Sequence, residues 1–294
     1  MMSVVKRAVS ATFRLALVSL LVTIAVSQPG WAMQIEVTST PRLGTTNRLL
    51  NPDFEEGVQA PVAWSFGTAR SDILRGEWSR EAVSGDRSLY IEAESGEMSG
   101  YWGQNQIAVQ PGENLLFSAW VKLPRGRVLM YVIGYDGTKS PPQQVYDDRR
   151  LYLSAAGDHP LFPVFVKADL LKGMVGPDWQ RQRYYFQNAD NVTLVNVRLG
   201  LYFFGTRPGT VWFDRAYFGV PWVDLTVKVS AADPARRVQR VQVIDDTGFT
   251  VYDSGFFAEP LEEWTQTVRV PADAAYYTVV VTDAQGRLVE QRHP

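Results

Sequence analysis

Beyond residue 32 the chain alternates apolar and polar positions over short runs. Val197, Leu199 and Leu201 are separated by Arg198, Gly200 and Tyr202. Leu225, Val227 and Val229 alternate with Thr226, Lys228 and Ser230, and Tyr277, Val279 and Val281 alternate with Thr278, Val280 and Thr282. A period of two means strands that bury one face and leave the other to solvent or a ligand. Turn residues punctuate the runs at Gln110-Pro111-Gly112, Asp136-Gly137, Arg207-Pro208-Gly209, Asp246-Thr247-Gly248 and Gln285-Gly286, which supply the backbone freedom that tight turns need.

Many short strands at this spacing predict an all-β chain of sandwich or barrel type. A fresh series of strands starts after Pro221, so a larger domain is expected over 48–220 and a smaller sandwich over 221–294. Residues 33–47 read as a short strand, Gln34 to Thr38, followed by a linker. The stretch from Thr138 to Gly176 contains Pro141-Pro142 and the charged run Asp147-Asp148-Arg149-Arg150. It reads as an elaborated loop with one short strand, and loops of that length are often functional.

The first 32 residues break the pattern. Lys6, Arg7 and Arg14 precede an uncharged apolar run from Leu15 to Val26, and small residues lead to Ala32. This reads as a secretory signal peptide cut after Ala32, because the run falls short of the roughly 20 residues of a membrane span. The expected location is outside the cytoplasm, either periplasmic or extracellular or held at the cell surface, with no transmembrane segment left after cleavage. Lys and Arg number 29 against 31 Asp and Glu in the whole chain. The signal segment holds three of the bases and none of the acids, so the mature protein is more acidic still. That argues against nucleic acid as a partner. The chain has no cysteine, which removes disulfides, thiol catalysis and thiolate metal sites.

Several fragments carry a more specific signal. They are Asn51-Pro52-Asp53-Phe54-Glu55 with Trp64 downstream, Ser84-Gly85-Asp86-Arg87-Ser88-Leu89, Phe117-Ser118-Ala119-Trp120-Val121, Trp179-Gln180-Arg181 and Val211-Trp212-Phe213-Asp214. In this order they resemble the family 4 and 9 group of carbohydrate-binding modules over about Asn47 to Gly219. The resemblance implies a jelly-roll β-sandwich of the galactose-binding type and a glycan as the partner. It also implies a structural calcium ion (Ca2+), with side-chain oxygens from Glu55 and Asp214, carbonyls from Asp53 and Ser84, and a further carboxylate from Glu81. Calcium takes six to eight such oxygens, and an ion there would staple the ends of the domain. The C-terminal strands loosely resemble fibronectin-type or immunoglobulin-like modules, which serve as spacers or as surfaces for an envelope or extracellular protein.

A sugar site combines rings for the C–H faces with polar groups for the hydroxyls. The candidates on faces opposite the expected core are Trp102, Gln104, Trp120, Tyr131, Arg198 and Tyr202. The competing reading of each ring is core or edge packing, since aromatics are strand formers first. Catalysis finds little footing. The only histidines are His159 and His293, and there is no Gly-x-Ser-x-Gly and no phosphate loop. Adjacent acids such as Glu55-Glu56 point to opposite faces of a strand, whereas a glycosidase needs two carboxylates facing each other. The reading is therefore an exported, non-catalytic glycan-binding protein. The alternative is an envelope assembly protein that uses the jelly roll as a protein-interaction surface. Exposure of the aromatic candidates separates the two.

Overall fold

A computed structural model describes residues 33–94, 100–155, 171–202 and 208–294, with side chains of 171–174 excluded. The expected signal segment and His159 lie outside the described residues. The protein is all-β, and among the described residues there is no α-helix. No helix of the described residues is long and apolar enough to cross a membrane.

Alternation builds the larger sandwich. In β6 (Asn114–Arg125), Leu115, Phe117, Ala119, Val121 and Leu123 are all fully buried. This strand is second in a five-stranded sheet ordered β10 (Gln180–Gln187), β6, β12 (Gly209–Gly219), β4 (Ser88–Ala93), β3 (Leu74–Ser79). Facing it is a six-stranded sheet ordered β2 (Ser65–Thr68), β5 (Gly100–Ala108), β11 (Leu194–Leu201), β7 (Arg127–Asp136), β8 (Gln143–Ala155), β9 (Leu171–Val175). From β4 to β7 and again from β9 to β12 the chain changes sheet at each step, the jelly-roll way of making two sheets from one chain. The inner residues form one apolar core that includes Phe117, Met130, Leu153, Val197, Leu199 and Phe213.

Residues 156–170 of the stretch expected as a loop lie outside the described residues, and the rest of it differs from expectation. β8 is a thirteen-residue inner strand. Its second half buries Leu151, Leu153 and Ala155 at alternate positions, while Asp147 and Asp148 sit on its exposed half. The charged run hid a strand whose core-facing period begins only after it.

The remaining strands form two further sheets, β1 (Met33–Thr40), β13 (Trp222–Ala231), β16 (Glu263–Pro271) and β15 (Thr250–Asp253), β14 (Val238–Asp245), β17 (Tyr277–Asp283), β18 (Leu288–His293). Their shared core includes Val223, Leu225, Val227, Val241, Val270, Tyr277 and Val279. β1 runs antiparallel to β13 from Met33↔Ala231 to Thr40↔Asp224. The strand expected near Gln34 is thus an edge of the smaller pair of sheets, and Ile35 and Val37 enter its core.

The two sandwiches are joined on the outer face of the five-stranded sheet. Leu116 and Tyr217 point away from the first core and enter the second. Beside them lies a buried ionic cluster. Arg181 meets Asp246 at 2.6 Å, Arg215 meets the same carboxylate at 3.0 Å, and Arg183 meets Asp273 at 2.9 Å. The side chains of Asp246 and Asp273 are 1% and 0% exposed. Burial pushes the Asp246 carboxyl up, but Arg181 and the Ala275 N–H outweigh it and hold it below its ordinary range. Such a cluster fixes orientation more surely than it adds net stability, because desolvation offsets much of the attraction.

Breaking it from one side is a different matter. Asp246→Asn leaves Arg181 and Arg215 short of a counter-charge, and we expect a loss of about 3 kcal/mol in denaturant unfolding. The unfolded chain takes a proton at Asp246 before the folded chain does. The contribution is therefore complete above about pH 4 and is lost as pH falls through the lower folded value. An Asp246→Asn protein as stable as the parent, in melts from pH 7 to pH 3, would remove the cluster from this role.

Candidate functional site

With the five-stranded sheet partly covered, the outer face of the six-stranded sheet is where cross-strand register gathers polar aromatics. Arg198 on β11 lies opposite Tyr131 on β7, which lies opposite Arg150 on β8. Two residues further along β11, Gly200 lies opposite Tyr101 on β5 and Leu129 on β7, and Leu129 lies opposite Tyr152 on β8. Strand neighbours at this spacing are in reach of one another. The Tyr101 and Tyr131 rings sit edge to face with centroids 6.3 Å apart, and Tyr152 and Tyr202 do the same at 5.8 Å. All four rings are half-buried. Arg150 Nη1 donates to the Tyr152 hydroxyl at 3.3 Å.

Arg198 is held among these rings and its own strand's neighbours. Its guanidinium is over the Tyr101 ring at 4.8 Å. It donates to Gln104 O, Val197 O and Asn105 Oδ1 at 3.1, 2.8 and 2.7 Å. Its cross-strand partner must be glycine, since a Cβ on Gly103 would meet Arg198 Nη1 at 2.5 Å. Gly67 serves Tyr101 in a similar way, for a Cβ there would sit 3.0 Å from Cζ of that ring. Burial pushes the Tyr131 hydroxyl up to about 12, with Arg198 and Arg150 pulling the other way. Burial likewise raises Tyr202. Both hydroxyls keep their protons at neutral pH and can donate as well as accept.

Of the residues singled out from the sequence, Tyr131, Arg198 and Tyr202 come together here. Trp102 does not. It is 5% exposed, packs against Phe66 in the core and donates its indole N–H to Tyr90 O at 3.0 Å. Gln104 is also inward. Its amide clamps Leu50, giving Nε2 to Leu50 O at 2.5 Å and taking Leu50 N at 3.1 Å. Trp120 is on the other sheet, with the Arg181 guanidinium over its ring at 4.9 Å, next to the ionic cluster. For Trp102 and Gln104 the reason is parity. β5 turns Tyr101 outward and therefore Trp102 inward. Tyr101, Tyr152 and Arg150 are members of the cluster that sequence reading missed. Tyr152 and Arg150 fell in the stretch read as a loop, and Tyr101 was overshadowed by its tryptophan neighbour.

The expected calcium ligands lie around one turn. Asp214 is fully buried, accepting Val83 N and Ser84 N on Oδ2 at 2.8 and 3.1 Å and Arg215 N on Oδ1 at 2.7 Å. Burial pushes its carboxyl up to about 7 against those three N–H groups. Glu55 Oε1 accepts Asp86 N and Arg87 N, both at 2.9 Å. Glu55, Ser84 and Asp214 thus share the 83–87 turn, where backbone N–H groups take up the two carboxylates. Glu81 is drawn off to Lys122, and Asp53 is exposed. Among the described residues no three of His, Cys, Asp or Glu form a metal-holding group.

No family model matches the sequence, and no curated protein matches it. Solved structures of similar shape include TmCBM61 in complex with β-1,4-galactotriose, at 13% identity and a TM-score of 0.38, covering 58% of this chain and 97% of that one. The CBM22-1 xylan-binding domain from Paenibacillus barcinonensis aligns at 13% identity and 0.35, over 57% and 90%. The enzymatically active domain of bacteriophage CBA120 tailspike protein 4 aligns at 11% and 0.43, over 59% of this chain and 21% of its own. At these scores the likeness says nothing about activity.

The inward setting of Trp102 is open to test. Trp102→Ala opens a cavity beneath β2 and β4, and we expect about 3–5 kcal/mol of lost stability in a urea titration. A loss under about 1 kcal/mol would mean the ring is not packed as described.

Proposed function

We propose that this is an exported glycan-binding protein that holds its ligand on the outer face of the six-stranded sheet without breaking a bond. The supporting observation is the convergence of Tyr101, Tyr131, Tyr152 and Tyr202 with Arg150 and Arg198 on adjacent strands. Tyrosine rings offer faces to sugar C–H groups, and their hydroxyls and the Arg150 N–H groups serve sugar hydroxyls. Strands hold all of them but Tyr202, which follows the end of β11, so little ordering entropy is lost on binding. Among the described residues the carboxylate beside this cluster is Asp147, 3.3 Å from Arg150. Glycoside hydrolysis needs a facing pair, which is why the reading is binding rather than cleavage. Resemblance to the family 4 and 9 modules points the same way.

Affinity electrophoresis in gels carrying plant and bacterial polysaccharides tests it. Tyr131→Ala and Tyr202→Ala should each weaken retention about tenfold, the order expected for one lost ring contact. Trp120→Ala should leave retention unchanged. Full retention by both tyrosine variants would move the site elsewhere.

A calcium ion at the 83–87 turn belongs to the same reading. Glu55 and Asp214 would give carboxylate oxygens, Asp53 and Ser84 carbonyls, and Glu81 a further carboxylate on release from Lys122. The ion would neutralise a carboxylate that is otherwise buried against amides. A chelator should then lower the melting temperature by several degrees and added calcium restore it. Identical melts in both conditions would exclude the metal.

A further inference from the structure

We infer that the glycan held on this face is acidic, built from sugars that carry carboxylates. The inference rests on the reading of the face as a glycan site and narrows its ligand.

The first observation is sequence placed by the fold. β2, β5 and β11 contain no Asp or Glu, and β7 contains none before Asp136 at its end. In a chain with 31 acidic residues, four neighbouring strands of one sheet are free of them over the cluster. Arg150 and Arg198 flank Tyr131 in register. Arg198 and Arg150 act on the Tyr131 hydroxyl, and Arg150 and Arg127 act on Tyr202. Two guanidinium groups thus flank the rings in register.

The second observation is that Arg198 has no counter-charge among the described residues. Several other arginines are matched to carboxylates, Arg48 to Glu113, Arg75 to Glu92 and Arg287 to Asp283. Arg198 is 8% exposed, and its three acceptors are two carbonyls and an amide oxygen. Its Nε has no hydrogen-bond partner among the described residues. A cation so buried without an anion is costly. Arg150 has Asp147 beside it, but that carboxylate is 55% exposed and the pair is weak. A ligand carboxylate meeting Arg150 and the tyrosine hydroxyls, above Arg198, would complete the charge balance that the protein leaves open. The planar guanidinium matches a carboxylate in two parallel hydrogen bonds.

The test uses gels of polygalacturonate and alginate for carboxylates, carrageenan for sulfate, and galactan and xylan as neutral controls. We expect retention about tenfold stronger on the carboxylate gels at low salt, falling as ionic strength rises. Arg150→Gln, at a partly exposed strand position, should lose most of that preference while its melting temperature stays within a degree or so of the parent's. Because Arg198→Gln risks misfolding, the salt series on the parent protein is the second measurement. Equal or stronger retention on galactan or xylan overturns the acidic inference and leaves the glycan reading standing. Retention by carrageenan alone overturns the choice of carboxylate. Retention by none of the gels overturns the glycan reading and this inference with it.

Discussion

A chain without cysteine must close its larger sandwich by other means, and it does so where the opening segment lies along β12. Arg48 N donates to Phe218 O at 2.8 Å, and Ala216 N donates to Pro52 O at 2.7 Å. Asn47 bridges the same two stretches, giving Nδ2 to Ala216 O and taking Phe218 N. Asn51, buried and at a positive φ of 46°, ties the loop behind it by bonds to Glu56 and Val62. Trp64 then caps the Leu50 and Asn51 carbonyls with its indole N–H. Every one of these groups is polar and at least partly withdrawn from water, so losing a partner leaves an unsatisfied atom behind. The closing contacts are therefore cooperative, and the turn that receives Glu55 and Asp214 sits on top of them.

That closure sets which faces are available. Once β12 is fixed between β6 and β4, the outer face of the five-stranded sheet presents Leu116, Tyr217 and the arginines of β10. The smaller sandwich covers them with an apolar joint and with Asp245, Asp246 and Asp273. Tyr185 and Trp222 stack at the margin with centroids 5.5 Å apart. Trp120 is caught in that arrangement, which explains why an aromatic at a promising strand position ends beside a protein joint. The outer face of the six-stranded sheet carries Tyr101, Tyr131 and Tyr152 with Arg150 and Arg198 among them.

Alternation was enough to read the strands of β6, β11, β13 and β17, and the adjacency of Asn51 to Asp214 was legible from the fragments in their order. What period two does not supply is parity against an unseen core. Trp102 and Tyr101 are adjacent, both aromatic, and only the pairing with Leu199 and Gly200 decides which of them faces out. Gln104 illustrates the same limit, since nothing local shows that its amide will hold Leu50 across 54 residues of sequence. β1 was visible as a strand, yet nothing near it in sequence names β13, which begins only at Trp222, as its partner. β8 was hidden because its charged half is exposed and its apolar half is short.

The arrangement of charge follows the same logic from sheet to sheet. Where the protein buries arginines at its joint, it supplies Asp246 and Asp273 to meet them. Where it buries Arg198 on the outer side of the six-stranded sheet, it supplies neutral oxygens only. Both choices cost desolvation, but the first recovers it within the folded chain. The second recovers it only when something negative arrives from outside. A cation held rigidly by Gln104, Val197 and Asn105, over a glycine that leaves it room, does not shift to greet a ligand. It acts as a fixed potential under the rings, favouring whichever sugar brings the missing charge, and it does so through the field rather than through direct contact.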